Sequence, residues 1–269
     1  MKKILTPTDF SPVADNATKY AFEIAAAFKS KLFLYHVYNM KKSDYDLNFS
    51  NDEQPFRKKV KFNMEETIEK FKDIITQKKL KVKTKVYQGN IFSLFGRTVK
   101  KDGIELIVMG SKGASGLTKV LYGSVAANAL EKSKIPLLVV PPKFTFKPLR
   151  HIVLAIGHKE ISPDVLSTLQ NLVTKFGAKV TVLTINNAPN HNTKREENLD
   201  LDGVEIIYRE VPLSKSINNS ISKFIKEEGD CDLLCMVRRQ KSFIESIYKK
   251  SITKSQVHSN KVPLLILPE

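Results

Sequence analysis

Glycine and hydroxyl residues lie at a defined spacing in the first half of the chain, where they could bind an anion. Gly110 and Gly113 follow a short apolar run, and Gly123 and Ser124 precede a run of helix-forming residues, 126–132. Glycines allow backbone N–H groups to approach oxygen atoms closely, and the unpaired N–H groups and dipole of a helix start favour negative charge. The pattern therefore predicts a strand, a loop and a helix N-terminus that together suit a phosphate.

Neighbouring side chains add donors and positive charge to this stretch. Ser111 and Ser124 carry hydroxyl groups, and Lys112 and Lys119 carry ammonium groups, although both lysines could equally be solvated surface residues. Any one of the glycines alone could be a simple loop or cap residue, but the set is harder to explain in that way. The spacing fits neither the G-x-x-x-x-G-K-[ST] loop nor the G-x-G-x-x-G turn.

The spacing does match a third pattern. Gly110-x-x-Gly113, nine further residues and then Gly123-Ser124 resemble the G-2x-G-9x-G-[S/T] signature of nucleotide-binding universal stress proteins. The segment ILTPTDFS, Ile4 to Ser11, resembles the first strand and turn of the same family, including the aspartate that ends it. The resemblance covers both halves of the chain in outline, and its motifs are specific only in the first half.

The resemblance implies a ligand and a set of residues that hold it. In nucleotide-binding members the aspartate after the first strand and the backbone at the end of the second strand hold the adenosine, while the glycine framework holds the phosphates. Carried onto this sequence, the implied site consists of Pro7, Thr8, Asp9, Val37, Met109, Gly110, Ser111, Lys112, Gly113, Gly123, Ser124 and Val125. The implied ligand is ATP or another adenine nucleotide, and Mg²⁺ would accompany a triphosphate through phosphate oxygens and waters. No catalytic residue and no metal-ligating side chain is assigned.

Two side chains of the first half have competing interpretations. Asp9 could be a turn carboxylate stabilised by its own backbone, but a functional role is favoured because Asp9 and Gly110 would meet at one crevice. A carboxylate also suits ribose hydroxyls, an adenine edge or a metal better than it suits phosphate. His36 lies inside a strand and is interpreted as a packed core histidine rather than a ligand.

The alternation of strands and helices in the first half indicates the sheet that would position these residues. Apolar runs and alternation predict strands, helical spacing of apolar residues predicts helices, and the polar segment 41–54 is expected to be a loop that could lie over a site. The predicted strands are 4–8, 31–38, 82–87, 106–109 and 136–140, and the predicted helices are 12–30, 55–75, 91–101 and 126–132. Strands separated by helices imply a doubly wound parallel sheet, which binds ligands at the carboxyl ends of its strands.

The same rhythm restarts in the second half, as an internal repeat. The segment SKIPLLVVP, residues 133–141, aligns with NKVPLLILP, residues 260–268. The second half is predicted to contain strands 151–156, 180–185, 205–211, 233–237 and 262–267, with helices at 163–176, 214–228 and 244–259. We therefore predict an α/β protein with two tandem doubly wound five-stranded parallel sheets. The resemblance implies that each is Rossmann-like, of the adenine nucleotide alpha hydrolase type.

The repeat defines a domain organisation of three segments. Residues 1–142 are predicted to form the nucleotide-binding universal stress protein domain, 143–150 a linker, and 151–269 a degenerate second copy. Resemblance to the family's dimers suggests that the second domain packs on the first as an intrachain pseudo-dimer through the fifth strands. Two chains could associate further as a homodimer.

The second half lacks the features that would bind phosphate. A side chain at a former glycine position would push a phosphate away from the backbone donors. The aligned pairs are Gly110 with Val237, Gly113 with Gln240, Gly123 with Lys250 and Ser124 with Ser251, and Asp9 falls near Gly157 and His158. We therefore expect that the second half has kept the scaffold and lost the site.

Composition limits the class of protein. The chain has 269 residues, of which 42% are hydrophobic and 27% charged, as expected of a folded globular protein. No apolar run approaches the roughly 18 residues of a membrane span, and Met1–Lys3 leads into a strand rather than a signal peptide, so a cytoplasmic location is expected. Cys231 and Cys235 do not form a zinc-binding pattern and are interpreted as packing residues.

The net charge of +16 would attract anions such as ATP, RNA or anionic lipid. Solvated surface is the favoured explanation of this charge, because many lysines are spread along one helix-like face and its exit: Lys58, Lys59, Lys61, Lys70, Lys72, Lys78, Lys79 and Lys81. We therefore expect neither a membrane nor a nucleic acid as partner.

These features favour a stress-response protein that binds ATP in its first domain and acts as a binding or regulatory module. One alternative is a slow ATPase, but hydrolysis needs a positioned base or water and charge stabilisation near the γ-phosphate, and no base can be assigned. The other alternative is a nucleotide-independent adaptor for RNA or acidic partners. Binding by such an adaptor would collapse with salt and would not depend on Gly110 or Gly123.

Overall fold

The computed structural model describes residues 1–38, 54–89, 91, 101–112, 124–157, 161–186, 199, 201–238 and 262–269. Within them the strands, numbered β1 to β10 in chain order, are Lys3–Pro7, Lys31–Tyr38, Lys81–Gln88, Leu106–Gly110, Leu137–Val140, His151–Ile156, Lys179–Asn186, Ile206–Pro212, Leu233–Arg238 and Leu264–Pro268. The helices, α1 to α6, are Pro12–Phe28, Gln54–Lys70, Lys72–Gln77, Ser124–Lys132, Pro163–Phe176 and Ile217–Glu228. Each strand lies within two residues of its predicted bounds.

The ten described strands form one sheet. Their order is β3-β2-β1-β4-β5-β10-β9-β6-β7-β8. Neighbouring strands are parallel except β5 and β10, which run antiparallel with Leu138 opposite Leu265. The α/β fold class is therefore confirmed. The two predicted five-stranded parallel sets are halves of one continuous sheet, joined at their fifth strands as the sequence analysis expects.

The two halves repeat one another in strand order and in the contacts at their strand starts. β1 lies between β2 and β4 as β6 lies between β7 and β9. The Lys2 N–H donates to Oε2 of Glu105 at 2.8 Å, and at the matched positions the Arg150 N–H donates to Oδ2 of Asp232 at 2.8 Å. These paired contacts support the internal repeat, while the division into two domains stays a prediction.

The helix predicted over 55–75 is interrupted in the structure. α2 ends at Lys70 and α3 begins at Lys72, because Phe71 leaves helical geometry with φ −104° and ψ 6°. The Phe71 ring is buried and meets the ring of Phe22 edge to face, with centroids 5.4 Å apart. The uninterrupted prediction was therefore wrong at this residue, because packing of one aromatic ring outweighed the local helical pattern.

Other element predictions differ at their ends or fall outside the description. α6 begins at Ile217 rather than Ser214, because the Ser216 hydroxyl caps it by accepting from the Asn219 N–H at 3.2 Å. The predicted loop 41–54 lies almost wholly outside the described residues, as do most of helix 91–101 and all of helix 244–259.

An aromatic chain links the two halves on the face of the sheet that α1 and α5 cover. Tyr20 of α1 meets Phe146 of the linker with ring centroids 5.0 Å apart, and Phe146 meets Phe176 of α5 at 6.0 Å. Phe28 of α1 also contacts Phe176 at 6.2 Å. Phe146 therefore packs the linker against both halves, since large aromatic rings bury much apolar area.

The two cysteines and the acidic residues do not form a metal or redox centre in the described part of the chain. No group of three or more His, Cys, Asp or Glu residues there is placed to hold a metal ion. Burial raises the pKa of the Cys231 thiol to about 12 and holds the pKa of Cys235 above its usual range. Both thiols are protonated at pH 7, which suits packing residues. None of the described helices is both long and apolar enough to span a membrane.

The Arg238 side chain, in the second half, forms hydrogen bonds with the C-terminal end of α4 in the first half. Its Nη1 donates to the Leu130 carbonyl oxygen at 3.1 Å, and its Nη2 donates to the Ser133 carbonyl oxygen. These carbonyls belong to a helix C-terminus, where acceptors lack intrahelical partners and a cation is favoured.

Arg238→Ala is expected to lower the free energy of unfolding by about 1 to 2 kcal/mol, because two carbonyl groups lose a charged donor. Urea unfolding followed by circular dichroism measures the loss. Arg209→Ala is the control, because Arg209 is exposed and its guanidinium donates to the carbonyl oxygen of its own chain neighbour, Tyr208. Equal losses in the two variants would contradict a role for Arg238 at the junction.

Candidate functional site

The carboxyl ends of β1 and β4 lie side by side in the first half of the sheet, and the region above them is named the crevice. These two strands are adjacent and parallel, with Ile4 opposite Leu106. The chain leaves β1 toward β2 on one side and leaves β4 toward β5 on the other. The connections therefore diverge above this pair, and such a switch point is where doubly wound sheets bind ligands.

The turn that follows β1 carries three predicted site residues, Pro7, Thr8 and Asp9. Pro7 is buried and ends β1. The buried Thr8 donates its N–H to the Tyr35 carbonyl oxygen at 2.8 Å, and its hydroxyl accepts from the Phe10 N–H at 3.0 Å. Asp9 is exposed, and its Oδ1 accepts from the Ser11 N–H at 3.1 Å. This hydrogen bond is the contact expected if Asp9 is a turn carboxylate stabilised by its own backbone. The same carboxylate also lies at the crevice.

The first turn of α1 follows directly and adds the field of a helix start. Ser11 is its N-cap, with a hydroxyl that accepts from the Ala14 N–H at 3.2 Å, and Pro12 is the first helical residue. Asp15 in the first turn pairs with Lys70 of α2. Backbone N–H groups at such a terminus favour anions nearby.

The predicted residue on β2, Val37, reaches the same edge of the sheet. Pro7 lies opposite Tyr35 at the end of the β1–β2 ladder, so Val37 and Asp9 each lie two residues beyond the last pair. β2 and β3 continue past the end of β1, with Val37 opposite Tyr87. The backbone of Val37 therefore borders the crevice, and its side chain is half-buried.

The end of β4 supplies Met109, Gly110, Ser111 and Lys112. Met109 and Gly110 are buried strand residues paired with β5, the Ser111 N–H donates to the Val140 carbonyl oxygen at 2.9 Å, and Lys112 is half-buried. A Cβ on Gly110 would lie 2.9 Å from Cγ1 of Val13 and 3.2 Å from the Val13 carbonyl oxygen. Gly110 therefore allows α1 to pack closely on β4, in addition to any contact with a ligand.

The remaining predicted site residues lie on or before α4. Ser124 and Val125 are its first two residues, and the Val125 side chain is 37% exposed. α4 leads through its C-terminal end into β5, so its start lies on the same side of the sheet as the strand ends. Gly113, Lys119 and Gly123 lie outside the described residues.

His36, which is interpreted from the sequence as a packed histidine rather than a ligand, is half-buried against the turn that follows β1. Its Nδ1 lies 2.8 Å from the Thr8 carbonyl oxygen, and its ring stacks on Phe10 with centroids 4.4 Å apart. Burial lowers the pKa of His36, against the opposing effects of the Thr8 carbonyl and the Asp9 charge, so the ring is neutral at pH 7. Its position directly before Val37 was the available signal.

The second half carries different residues at the matched positions that the structure describes. Because Ile152 lies opposite Leu233 as Ile4 lies opposite Leu106, the register places Gly157 at the position of Asp9 and Val237 at that of Gly110. Val237 is buried. Arg238, at the position of Ser111, extends to the end of α4. The residues aligned with Gly113, Gly123 and Ser124 lie outside the described residues.

Comparison with known proteins identifies the family. The model of the universal stress protein family matches residues 1–141, which is over half of the chain. The chain belongs to the universal stress protein family. The universal stress protein MJ0577 of Methanocaldococcus jannaschii is 31% identical over an alignment 155 residues long that covers 53% of this chain and 96% of that protein. The universal stress protein MJ0531 of the same organism is 30% identical over 139 residues, 52% of this chain and 81% of that protein.

Similarity to solved structures extends over both halves of the chain. A universal stress protein from Archaeoglobus fulgidus DSM 4304 superposes with a TM-score of 0.72 and 16% identity, covering 99% of this chain and 98% of that one. At this identity the similarity concerns the fold. The whole chain therefore has the fold of a universal stress protein of similar length.

Proposed function

We propose that this protein binds ATP or another adenine nucleotide in the crevice of its first half and acts as a regulatory binding module. The observation that carries the proposal is the meeting of Asp9, Val37 and Gly110 at one edge of the sheet, above the switch point between β1 and β4. Universal stress proteins with this glycine signature bind nucleotides, and the signature is complete in the sequence from Gly110 to Ser124.

The chemistry of the residues supports a division of the ligand. The exposed Asp9 carboxylate suits the hydroxyls of a ribose, and the Val37 backbone at the end of β2 suits the edge of an adenine. The helix starts, the glycine framework and the hydroxyls of Ser111 and Ser124 suit phosphates. Lys112 would screen phosphate charge, and Mg²⁺ would bind through phosphate oxygens and water.

The same reasoning assigns a structural role to the second half. Val237 and Arg238 place side chains where the first half has Gly110 and Ser111, so phosphate could not approach the backbone there. We therefore propose one nucleotide per chain, held in residues 1–142, with residues 151–269 completing the sheet.

Mass spectrometry of nucleotide released from protein purified without added ligand identifies the natural ligand. Calorimetry with ATP and with AMP then measures affinity. We expect Asp9→Asn to weaken binding by about tenfold to a hundredfold, because one charged acceptor for the ligand is lost. The asparagine keeps an oxygen for the Ser11 N–H, so the turn is retained.

Two further variants make the experiment specific. Asp164→Asn is the control, because Asp164 is an exposed acid in the first turn of α5, outside the crevice. The nucleotide affinity of this variant should equal that of the wild type. Gly123→Val should abolish binding if the glycine framework holds the phosphates. Affinity that is unchanged in Asp9→Asn and Gly123→Val but falls steeply with salt would support the adaptor hypothesis instead.

A further inference from the structure

His36 makes two separate contacts with the turn that carries Asp9. Its Nδ1 lies 2.8 Å from the carbonyl oxygen of Thr8. A carbonyl oxygen only accepts hydrogen bonds, so Nδ1 carries the proton and donates it. In the neutral ring Nε2 is then the acceptor nitrogen. The imidazole thus holds the residue immediately before Asp9.

The second contact holds the residue immediately after Asp9. The ring of Phe10 stacks on His36 with centroids 4.4 Å apart and planes inclined by 26°. Phe10 has φ 62°, in the left-handed region, which is unfavourable for a bulky side chain and must be maintained by contacts. The stack and the bond from the Phe10 N–H to the Thr8 hydroxyl, at 3.0 Å, are such contacts.

Asp9 is therefore fixed from both sides. Thr8 is held by Tyr35 and His36, Phe10 is held by His36 and Thr8, and the Asp9 carboxylate accepts from the Ser11 N–H at 3.1 Å. A shift of this turn would move the exposed carboxylate relative to Val37, which β2 holds in a separate ladder.

We propose that His36 is a positioning residue for nucleotide binding: it orders the turn 8–10 and thereby sets the place of the Asp9 carboxylate. This inference rests on the proposed function. His36 acts through the turn, not by contact with the ligand. Burial lowers the pKa of His36, and the neutral ring with its proton on Nδ1 donates to the Thr8 carbonyl oxygen.

Two substitutions separate the donor from the ring. His36→Asn places the amide nitrogen where Nδ1 lies, so the donor to Thr8 is kept and the ring is lost. His36→Phe keeps a ring against Phe10 and loses the donor. We expect His36→Phe to weaken ATP binding roughly tenfold and His36→Asn to restore affinity to within about threefold of the wild type. Thermal unfolding checks that each variant folds.

A double-mutant cycle with Asp9 distinguishes positioning from general stability. If His36 acts through Asp9, His36→Phe should cost less than about threefold in affinity when Asp9 is already asparagine. His36→Leu, which removes donor and ring together, replaces His36→Phe if that protein does not fold.

The outcomes separate this inference from the proposed function. The role of His36 is overturned if the losses of ATP affinity in His36→Phe and Asp9→Asn add in the double variant. It is also overturned if His36→Phe binds ATP as tightly as the wild type. Either result leaves the proposal of nucleotide binding intact. A wild-type protein that binds neither ATP nor AMP overturns both.

Discussion

Gly110→Val is expected to lower the free energy of unfolding by about 3 kcal/mol, because overpacking a closely packed contact forces atoms to move. The new Cβ would lie 2.9 Å from Cγ1 of Val13, and the Val13 and Lys112 carbonyl oxygens lie 3.2 and 3.3 Å from the same point. The side-chain methyl group can turn aside, but the two carbonyl oxygens move only with the backbone of α1 and of the β4 exit. Urea unfolding measures the change.

The controls for Gly110 use a glycine of the second half and the residue that Gly110 contacts, Val13. Gly157→Val should change stability by less than about 0.5 kcal/mol, because no atom of the described residues lies within 4 Å of a Cβ built there and its φ is ordinary. Combining Gly110→Ala with Val13→Ala should recover part of the loss caused by Gly110→Ala alone. If Gly110→Val is as stable as the wild type, close packing does not explain this glycine.

Nucleotide affinity should fall along with stability in Gly110→Val. The start of α1, which the new side chain displaces, directly follows the turn that carries Asp9. Calorimetry with ATP at a temperature where the variant is folded measures this second effect. A folded variant with unchanged affinity would show that the turn does not move with α1.

Asp102→Asn is expected to destabilise the protein by about 2 to 4 kcal/mol, since it leaves a partly buried ammonium group without a counter-charge. Lys85 Nζ donates to both carboxylate oxygens of Asp102, at 2.8 and 2.7 Å, and the Tyr35 hydroxyl donates to Oδ2 at 2.5 Å. Tyr35 is fully buried, and the Asp102 side chain is 16% exposed. An asparagine offers one oxygen in place of two.

The loss in Asp102→Asn should depend on pH. Burial raises the pKa of the Asp102 carboxyl, but the hydrogen bonds from Lys85 and Tyr35 outweigh this and hold the pKa below its usual range. A carboxylate with a lowered pKa stabilises the fold above its unfolded pKa of about 3.9 and loses this effect as the pH falls through the folded value. The wild type and Asp102→Asn should therefore differ most at pH 5 to 7 and converge in stronger acid.

An exposed ion pair provides the matched control for Asp102. Glu69 lies 2.9 Å from Lys72, but both side chains are more than half exposed, at 71% and 64%. Glu69→Gln should therefore cost less than about 0.5 kcal/mol, because solvent screens the pair. A loss as large as that of Asp102→Asn would mean that burial does not set the strength of these pairs.

The sequence by itself determined the order of strands and helices, because the residue patterns that indicate them lie within each element. Apolar runs such as 106–109 and 151–156 can be buried on both faces, and Ser11 and Gly177 mark helix ends through their own chemistry. The repeat was also visible in sequence, since matching strands pack at matching places in the sheet.

The candidate site was predictable only in part. Asp9, Val37 and Gly110 follow or lie near the ends of predicted strands. Because parallel sheets bind ligands at the carboxyl ends of their strands, the sequence predicts these three residues at one edge of the sheet. The packing role of Gly110 could not be predicted from the sequence. The close contact of Val13 with Gly110 depends on how α1 lies across β4.

Tertiary structure alone decided the contacts between residues far apart in the chain. His36 faces Thr8, 28 residues away, and Asp102 meets Tyr35, 67 residues away, so neither role leaves a periodic signal. The break at Phe71 depends on a partner ring in α1, and Arg238 bonds to a helix end in the other half. A sequence pattern records which face a side chain takes along its own element. The partner on that face is set only when the elements pack against one another.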